Sequence, residues 1–163
     1  MGLAGYSLLA IAFAIFHYLT LKMEFHKAVY NHRPGHCHIV DGPVHGAEDI
    51  EIIRPEGIAF ISSGISYLQH VGGDHIKGQI FLLDLNVEKT PTAVPIVINE
   101  GNGFDKKNFH PHGISSYKVN GNIRLFVVSH STSFEHTIYL FDYDKKTRTL
   151  STHKTIRDKA LLR

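Results

Sequence analysis

The feature that most constrains the fold of this chain is an internal repeat of strand-like segments. The run Ile80–Asp84 (IFLLD) returns as Ile138–Asp142 (IYLFD), 58 residues further along. Ala59–Ser63 loosely returns as Phe126–His130, 67 residues further along. Each unit has room for about four strands, and a four-stranded unit repeating at about this spacing is typical of a β-propeller blade. A meander or a β-sandwich remains the alternative.

The rest of the chain after about Ile50 also consists of short apolar segments separated by turn residues. Asn120–Gly121 predicts a tight hairpin, Asp144–Thr147 predicts another, and Gly72–Gly73 predicts a loop. No helical period persists after Leu21, so this part of the chain is predicted to be all-β. Strands are predicted over Ile58–Ile61, Gln79–Leu85, Ala93–Ile98, Gly113–Val119, Ile123–Ser129, Thr137–Tyr143 and Leu150–Ile156.

The number of strands limits how much of a propeller the chain can form. A propeller closes with at least about four blades, whereas the segment from Glu48 to Arg163 has room for about two. Two blades leave open edges and unburied faces, since repeats stabilise one another through their neighbours. We therefore expect residues 46–163 to be about two blades of a larger propeller. We also expect the chain to be the N-terminal portion of a longer protein, or a truncated form.

Composition excludes some classes of partner. The chain has 163 residues with 17 basic and 15 acidic side chains, a net charge of +2. This balance, without a basic cluster interleaved with aromatic residues, argues against nucleic-acid binding. Thirteen histidines are a high count, which directs attention to proton or metal chemistry.

Residues 1–22 are expected to form an uncleaved hydrophobic helix. The segment Leu3–Leu21 is apolar and uncharged, and about 19 residues just suffice to cross a bilayer core. His17 and Tyr18 stand where a cleavage site would have small residues, so a signal-anchor is preferred to a cleaved signal or a buried helix. The basic residues that follow would favour a cytoplasmic body, but export is the interpretation we adopt.

Residues 23–45 are predicted to be an extended connector. Proline, glycine and scattered histidines surround the single cysteine, Cys37, which has no partner within the chain. His36–Cys37–His38 has the form of a metal clip. An ordinary linker is preferred because no second ligand pair follows at a zinc-site spacing.

Two stretches suggest chemistry. In His110–Ser116 (HPHGISS), Pro111 stiffens a loop-to-strand junction that aims His112, and Gly113 is expected to allow close backbone approach. Far upstream, Glu48 and Asp49 open the first strand, where neighbouring side chains point to opposite faces. Their oxygens suit calcium, which takes about six to eight oxygen ligands, so further ligands must come from elsewhere. Taken alone, each stretch is more often an ordinary feature, a turn capped by His112 in one case and a solvated acidic turn in the other.

Six runs, in order along nearly all of the chain after Cys37, resemble the serum paraoxonase/arylesterase family. The runs are Gly46–Ile52 (GAEDIEI), Gly57–Gly64 (GIAFISSG), Gly78–Asn86 (GQIFLLDLN), Pro111–Ser115 (PHGIS), Val127–His130 (VVSH) and His153–Arg157 (HKTIR). The resemblance implies a six-bladed propeller with two calcium ions in its central tunnel. It also implies hydrolysis of lactones and aryl esters, and export with a retained hydrophobic segment, giving an extracellular or membrane-anchored protein.

The resemblance assigns roles residue by residue. Glu48 matches a ligand of the catalytic calcium, and Asp49 and the carbonyl of Ile114 match ligands of the structural calcium. His112 matches the general base and His130 its proton-relay partner. Cys37 matches a cysteine that pairs with one near the family's C-terminus, which is missing here.

The chain departs from the family pattern at His110 and Ser129, where the family usually has asparagine. The family's remaining calcium ligands lie beyond the equivalent of Arg163. We therefore expect this polypeptide alone to lack calcium-dependent esterase activity. The alternative is a non-catalytic, membrane-anchored accessory protein that keeps the propeller surface for partner binding.

Overall fold

The computed structural model describes residues 2–25, 27–28, 30, 35, 37–65, 67, 71, 75–87, 91–133 and 135–162. The chain divides into two compact units, residues 1–37 and residues 38–163, which are described separately. The Gly72–Gly73 loop and most of the connector histidines, including His36, lie outside the described residues. Cys37 is exposed, and its thiol is free.

The first unit contains a single long helix, α1 (Leu3–Lys22), where the apolar run predicts one. The segment Ala4–Lys22 is long and apolar enough to cross a membrane, and none of it is buried. A signal sequence near an N-terminus meets the same criterion. The helix itself is therefore confirmed, whereas its role as an uncleaved membrane anchor stays a prediction.

The second unit contains two β-sheets. The first is antiparallel and has the strand order β1-β2-β3-β4. The second has the order β5-β9-β8-β7-β6, in which β5 joins β9 in parallel and the other neighbours are antiparallel. The strands are β1 (Ala47–Ile53), β2 (Ile58–Ser63), β3 (Gln79–Asp84), β4 (Val94–Pro95), β5 (Val97–Asn99), β6 (Pro111–Val119), β7 (Asn122–His130), β8 (His136–Asp144) and β9 (Thr149–Ile156).

The internal repeat corresponds to equivalent strands. Ile80–Asp84 lies in β3 and Ile138–Asp142 in β8, each the third strand of a four-stranded meander. The loosely repeated segments lie in β2 and β7, the second strands. A mostly-β fold preceded by an apolar helix is confirmed. The described residues form two sheets and no closed ring, so the propeller remains a prediction.

The hairpin predictions agree with the structure. Asn120 and Gly121 connect β6 to β7 with φ angles of 47° and 81°, both in the left-handed region that a tight hairpin of this kind requires. Asp144 begins the turn between β8 and β9, and its carboxylate accepts hydrogen bonds from the backbone of Lys146 and Thr147.

The single strand predicted over Ala93–Ile98 is wrong. The segment contributes β4 to the first sheet and β5 to the second. Pro95 has no N–H to donate, so it interrupts the ladder that a continuous strand would need. The next amide, that of Ile96, donates to the carbonyl of Ile80 before the chain crosses to the second sheet.

The main core lies between the two sheets. Phe60 of β2 meets Tyr143 of β8 edge to face with ring centroids 5.1 Å apart. The buried side chains of this core are Ile58, Phe60, Ile80, Leu82, Ile96, Phe109, Ile114, Ile123, Leu125, Val127, Tyr139, Phe141, Tyr143 and Leu150. Burial on this scale, at about 25 cal/mol per Å² of apolar surface, is the dominant stabilising contribution. It also sets β1 and β2 against the start of β6, where the candidate residues lie.

The other face of the first sheet is less well covered. Ile50 and Ile52 of β1 are 53% and 47% exposed, and they line an open apolar groove with residues of β2 and β3. Ala59, Ile61, Phe81, Leu83 and Ala93 form a smaller buried cluster on this side.

Candidate functional site

The candidate residues occupy two β-bulges that face each other. Glu48 and Asp49 lie where the register of β1 shifts, between Ala47 and Ile50. His112 lies where the register of β6 shifts, between Pro111 and Ile114. A bulge leaves extra residues outside the ladder and re-aims their side chains, which makes bulges common beside functional sites.

A buried serine joins the two bulges. The hydroxyl of Ser62, in β2, accepts a hydrogen bond from the amide of Asp49 at 3.0 Å and donates to the carbonyl of His112 at 2.7 Å. Ser62 is fully buried. One hydroxyl thus satisfies backbone groups that the two bulges release from ladder pairing, and it fixes the distance between them.

Asp49 ties the first bulge to the second sheet. One of its carboxylate oxygens accepts a hydrogen bond from the amide of Ile114 at 2.8 Å, and the other accepts from the amide of Ile50, also at 2.8 Å. Both oxygens therefore have a backbone partner. Hydrogen bonds from amides to a charged acceptor are stronger than neutral ones, so Asp49 stabilises the junction.

Glu48 points to the candidate base. Its Oε1 lies 3.4 Å from Nε2 of His112, with the two side chains 38% and 42% exposed. An ion pair this accessible contributes at most about 1 kcal/mol. It nevertheless orients the imidazole, whose ring also contacts that of His130.

Three imidazoles follow one another from β6 to β8. The rings of His112 and His130 meet edge to face with centroids 4.9 Å apart. His130 Nδ1 lies 2.5 Å from Nδ1 of His136. Burial lowers the pKa of His130, and the positive charges that His136 and His112 can carry lower it further. The central imidazole is therefore held in its neutral form.

His110 and Ser129, the two departures from the family pattern, contact each other. The amide of His110 donates to the hydroxyl of Ser129 at 2.9 Å. The His110 ring is buried, and its Nδ1 lies 2.9 Å from the carbonyl of Gly64, which requires the proton on Nδ1. Its Nε2 has no partner among the described residues. His110 is thus a structural histidine behind the site.

The prediction that Gly113 permits a close backbone approach is wrong. A β-carbon built at Gly113 would meet Asp49 Oδ2 at 3.9 Å, an ordinary contact, and its φ lies outside the left-handed region. The close approach occurs at Gly78 instead, where a β-carbon would lie 2.0 Å from the carbonyl oxygen of Phe109. Gly78 lets the start of β3 pass directly beside the segment that leads into the site.

Comparison with known proteins identifies the family. A family model described as Arylesterase matches residues 28–163. The chain belongs to the arylesterase family.

Curated relatives carry matching names. The chain is 43% identical over 124 residues to "Serum paraoxonase/arylesterase 2" of Gallus gallus, covering 74% of this chain and 33% of the relative. It is 39% identical over 131 residues to "Serum paraoxonase/lactonase 3" of Oryctolagus cuniculus, covering 78% and 35%. It is 38% identical over 126 residues to "Serum paraoxonase/arylesterase 1" of Homo sapiens, covering 77% and 35%. The chain thus spans about a third of the length of these arylesterase-family relatives.

The described residues of this arylesterase-family chain do not make a calcium site by themselves. Calcium needs about six to eight oxygens, and the candidates here are Glu48, Asp49 and the Ile114 carbonyl. Asp49 already has a backbone N–H on each carboxylate oxygen. Across the described part of the chain, no three His, Cys, Asp or Glu side chains converge as a metal site would require. We therefore derive no chemical step through calcium.

Two features of the site have only weak sequence signals. His136 is one of thirteen histidines, and it is distinguished only by standing six residues after His130, between two predicted strands. Ser62 is one of two consecutive serines at the end of a strand, with nothing in the sequence to show which side chain points inward. The role of Ser62 depends on the packing of β2 against β6, and that of His136 on the pairing of β8 with β7.

Proposed function

We propose that residues 46–163 supply the proton-transfer side of a site that hydrolyses lactones and aryl esters. The observation that carries the proposal is the position of His112, between Glu48 at 3.4 Å and the ring of His130 at 4.9 Å. In this proposal His112 takes a proton from the attacking water, and His130 accepts it as a relay. An imidazole with an ordinary pKa near 6.5 suits proton transfer close to neutral pH.

The lowered pKa of His130 supports the relay role. Burial and the neighbouring imidazoles favour its neutral form, so it can receive a proton from His112. His130 then releases that proton readily, because its buried environment disfavours the charged form. Names of the relatives support the substrate class, since they describe arylesterases and lactonases.

For the metal, we propose that Glu48 contributes to a catalytic calcium, and that Asp49 and the Ile114 carbonyl contribute to a structural one. This is a partial ligand set, to be completed by oxygens from outside the described residues. The shared position of all three residues at the two bulges supports this assignment. Because the set is partial, the chain alone is expected to show no calcium-stimulated hydrolysis of phenyl acetate.

For the fold, we propose that the two sheets are two blades of a six-bladed β-propeller. The exposed apolar face of the first sheet supports this, since Ile50 and Ile52 there would be covered by a neighbouring blade. We further propose that α1 directs the protein into the secretory pathway, leaving it extracellular or membrane-anchored. The length and apolar character of the helix support that placement.

The test is a chimera in which residues 46–163 replace the matching segment of the Gallus gallus relative. The relative then supplies the remaining two thirds of an arylesterase-family chain around this site. We expect it to hydrolyse phenyl acetate and small lactones. The substitution His112→Gln should lower kcat by about a hundredfold or more, the usual contribution of a positioned general base.

The matched control is His153→Gln. His153 also lies on a strand, with its Nδ1 3.0 Å from Asp142 Oδ2, but it is not part of the three-imidazole row. It should leave kcat unchanged. A His112→Gln chimera with full activity would contradict the proposal. A folded but inactive parent chimera would favour the alternative, a non-catalytic accessory protein.

A further inference from the structure

We propose that His136 is a positioning residue that extends the proton pathway by one imidazole and releases the proton into an open cavity lined by charged side chains. The proposal rests on the proposed function in taking His112 as the source of the proton. The part of the proposal that does not depend on that function is that His130 and His136 act as one unit. They hold a single shared proton between their Nδ1 atoms.

The hydrogen bond between the two rings imposes this behaviour. Nδ1 of His130 and Nδ1 of His136 lie 2.5 Å apart, and the rings meet nearly perpendicularly with centroids separated by 4.5 Å. A hydrogen bond between two ring nitrogens requires a proton on one and a free lone pair on the other. The tautomer of each histidine is therefore set by its partner, and both rings cannot carry a proton on Nδ1 without losing the bond.

The backbone holds the pair in register. His130 and His136 are directly opposed residues of β7 and β8, at the point where the connecting loop begins and ends. The amide of Ser131 donates to the carbonyl of Glu135 at 2.9 Å, and the Ser131 hydroxyl accepts from the amide of Glu135 at 3.0 Å. Directly opposed residues have β-carbons about 5 Å apart, which favours direct side-chain contact.

His136 also borders a route to solvent. It lines an open cavity of about 220 Å³ together with Glu135, Thr137, Arg157, Asp158 and Lys159. Two carboxylates in this set can accept a released proton, and two cations hold the net charge near zero. His130, by contrast, does not line this cavity, and its ring contacts those of His136 and His112.

The proton balance is simple. When Nε2 of His130 receives a proton from His112, Nδ1–H of His130 gives its own proton to Nδ1 of His136. His136 is then an imidazolium, and it loses its Nε2 proton to water in the cavity. His130 stays neutral overall, and the hydrogen bond persists with its direction reversed. The lowered pKa of His130 is consistent with this, because burial, and then charge on its two neighbours, disfavours a second proton.

The deciding experiment is a pH titration of ring-¹⁵N-labelled histidines by NMR, using the full chain in detergent micelles. The signals of His130 are assigned by their loss in His130→Asn. We expect the His130 and His136 rings to respond together to the first proton, with His130 taking its own proton only at lower pH. In His136→Asn, which keeps a hydrogen-bonding side chain but cannot accept the proton, His130 should titrate in one step at higher pH.

The matched control is His153→Asn, a histidine on β9 paired with Asp142, which should leave both ring titrations unchanged. His130 signals that are identical in the wild type and in His136→Asn would overturn the inference. The titration involves no substrate, so its result is independent of hydrolysis. Full activity of the His112→Gln chimera would overturn the proposed function. It would not affect the conclusion from the titration that His130 and His136 share a proton.

Discussion

The hydroxyl of Ser62 donates a hydrogen bond to the carbonyl of His112 across 2.7 Å, linking the second strand of one sheet to the first long strand of the other. The same hydroxyl accepts a hydrogen bond from the amide of Asp49. The candidate base and the candidate calcium ligand are therefore positioned by one buried oxygen. Neither of the bulges that they occupy is stabilised by regular ladder hydrogen bonds alone.

Ser62→Ala is expected to destabilise the second unit and to loosen the site. Removing the hydroxyl leaves the His112 carbonyl and the Asp49 amide without this partner, and a buried unpaired polar group costs about 1–3 kcal/mol. The free energy of unfolding, measured by denaturant titration of the full chain in a mild detergent, should fall by this amount. In the chimera, kcat should fall as well, because the position of His112 is no longer fixed.

Ser63→Ala is the matched control. The neighbouring hydroxyl is also buried, but it donates its hydrogen bond to the carbonyl of His45 at 3.0 Å, not to a residue of either bulge. Its loss should lower stability by about 1 kcal/mol and leave kcat unchanged. Equal effects of the two substitutions on kcat would refute the positioning role of Ser62.

Local sequence signals predicted the regular parts of this fold. Short apolar segments bounded by turn residues marked β2, β3, β7 and β8, and Asn120–Gly121 marked a hairpin because both positions adopt left-handed backbone angles. These features depend on interactions within a few residues. The same reasoning failed at Pro95, where the crossing between sheets depends on which ladder is available to the next amide.

The candidate site was predictable in its members but not in its arrangement. Resemblance to a known family supplied Glu48, Asp49, His112, Ile114 and His130, and these residues do lie together at the two bulges. A register shift depends on long-range pairing, so the bulges themselves have no local signature. Ser62 and His136 act through contacts with residues 50 and 6 positions away, which spacing alone did not reveal.

Gly78→Ala is expected to be strongly destabilising. A β-carbon at this position would lie 2.0 Å from the carbonyl oxygen of Phe109, and this backbone atom cannot move without displacing Pro111 and the start of β6. We expect a loss of at least about 2 kcal/mol in the free energy of unfolding, measured by thermal or denaturant unfolding. Gly113→Ala, with only Asp49 Oδ2 at 3.9 Å, should change stability by no more than about 0.5 kcal/mol. The opposite ranking would show that the segment before β6 is adaptable.

The stability of the second unit is expected to fall on acidification through the range in which histidine titrates. Burial and two neighbouring imidazoles hold the pKa of His130 below its ordinary value of 6.5 in the folded chain. Between the folded and unfolded pKa values, the unfolded state binds more protons at this position, so the free energy of unfolding rises with pH. The contribution is complete above about pH 6.5 and is lost as the pH falls toward the folded value. His130→Asn should flatten this part of the pH–stability curve, and His153→Asn is the matched histidine-to-asparagine control. Because the chain has thirteen histidines, the decisive quantity is the difference between the wild-type curve and each variant curve. A wild-type minus His130→Asn difference that is independent of pH between about 5 and 7 would mean that the His130 ring is as well solvated in the folded chain as in the unfolded one.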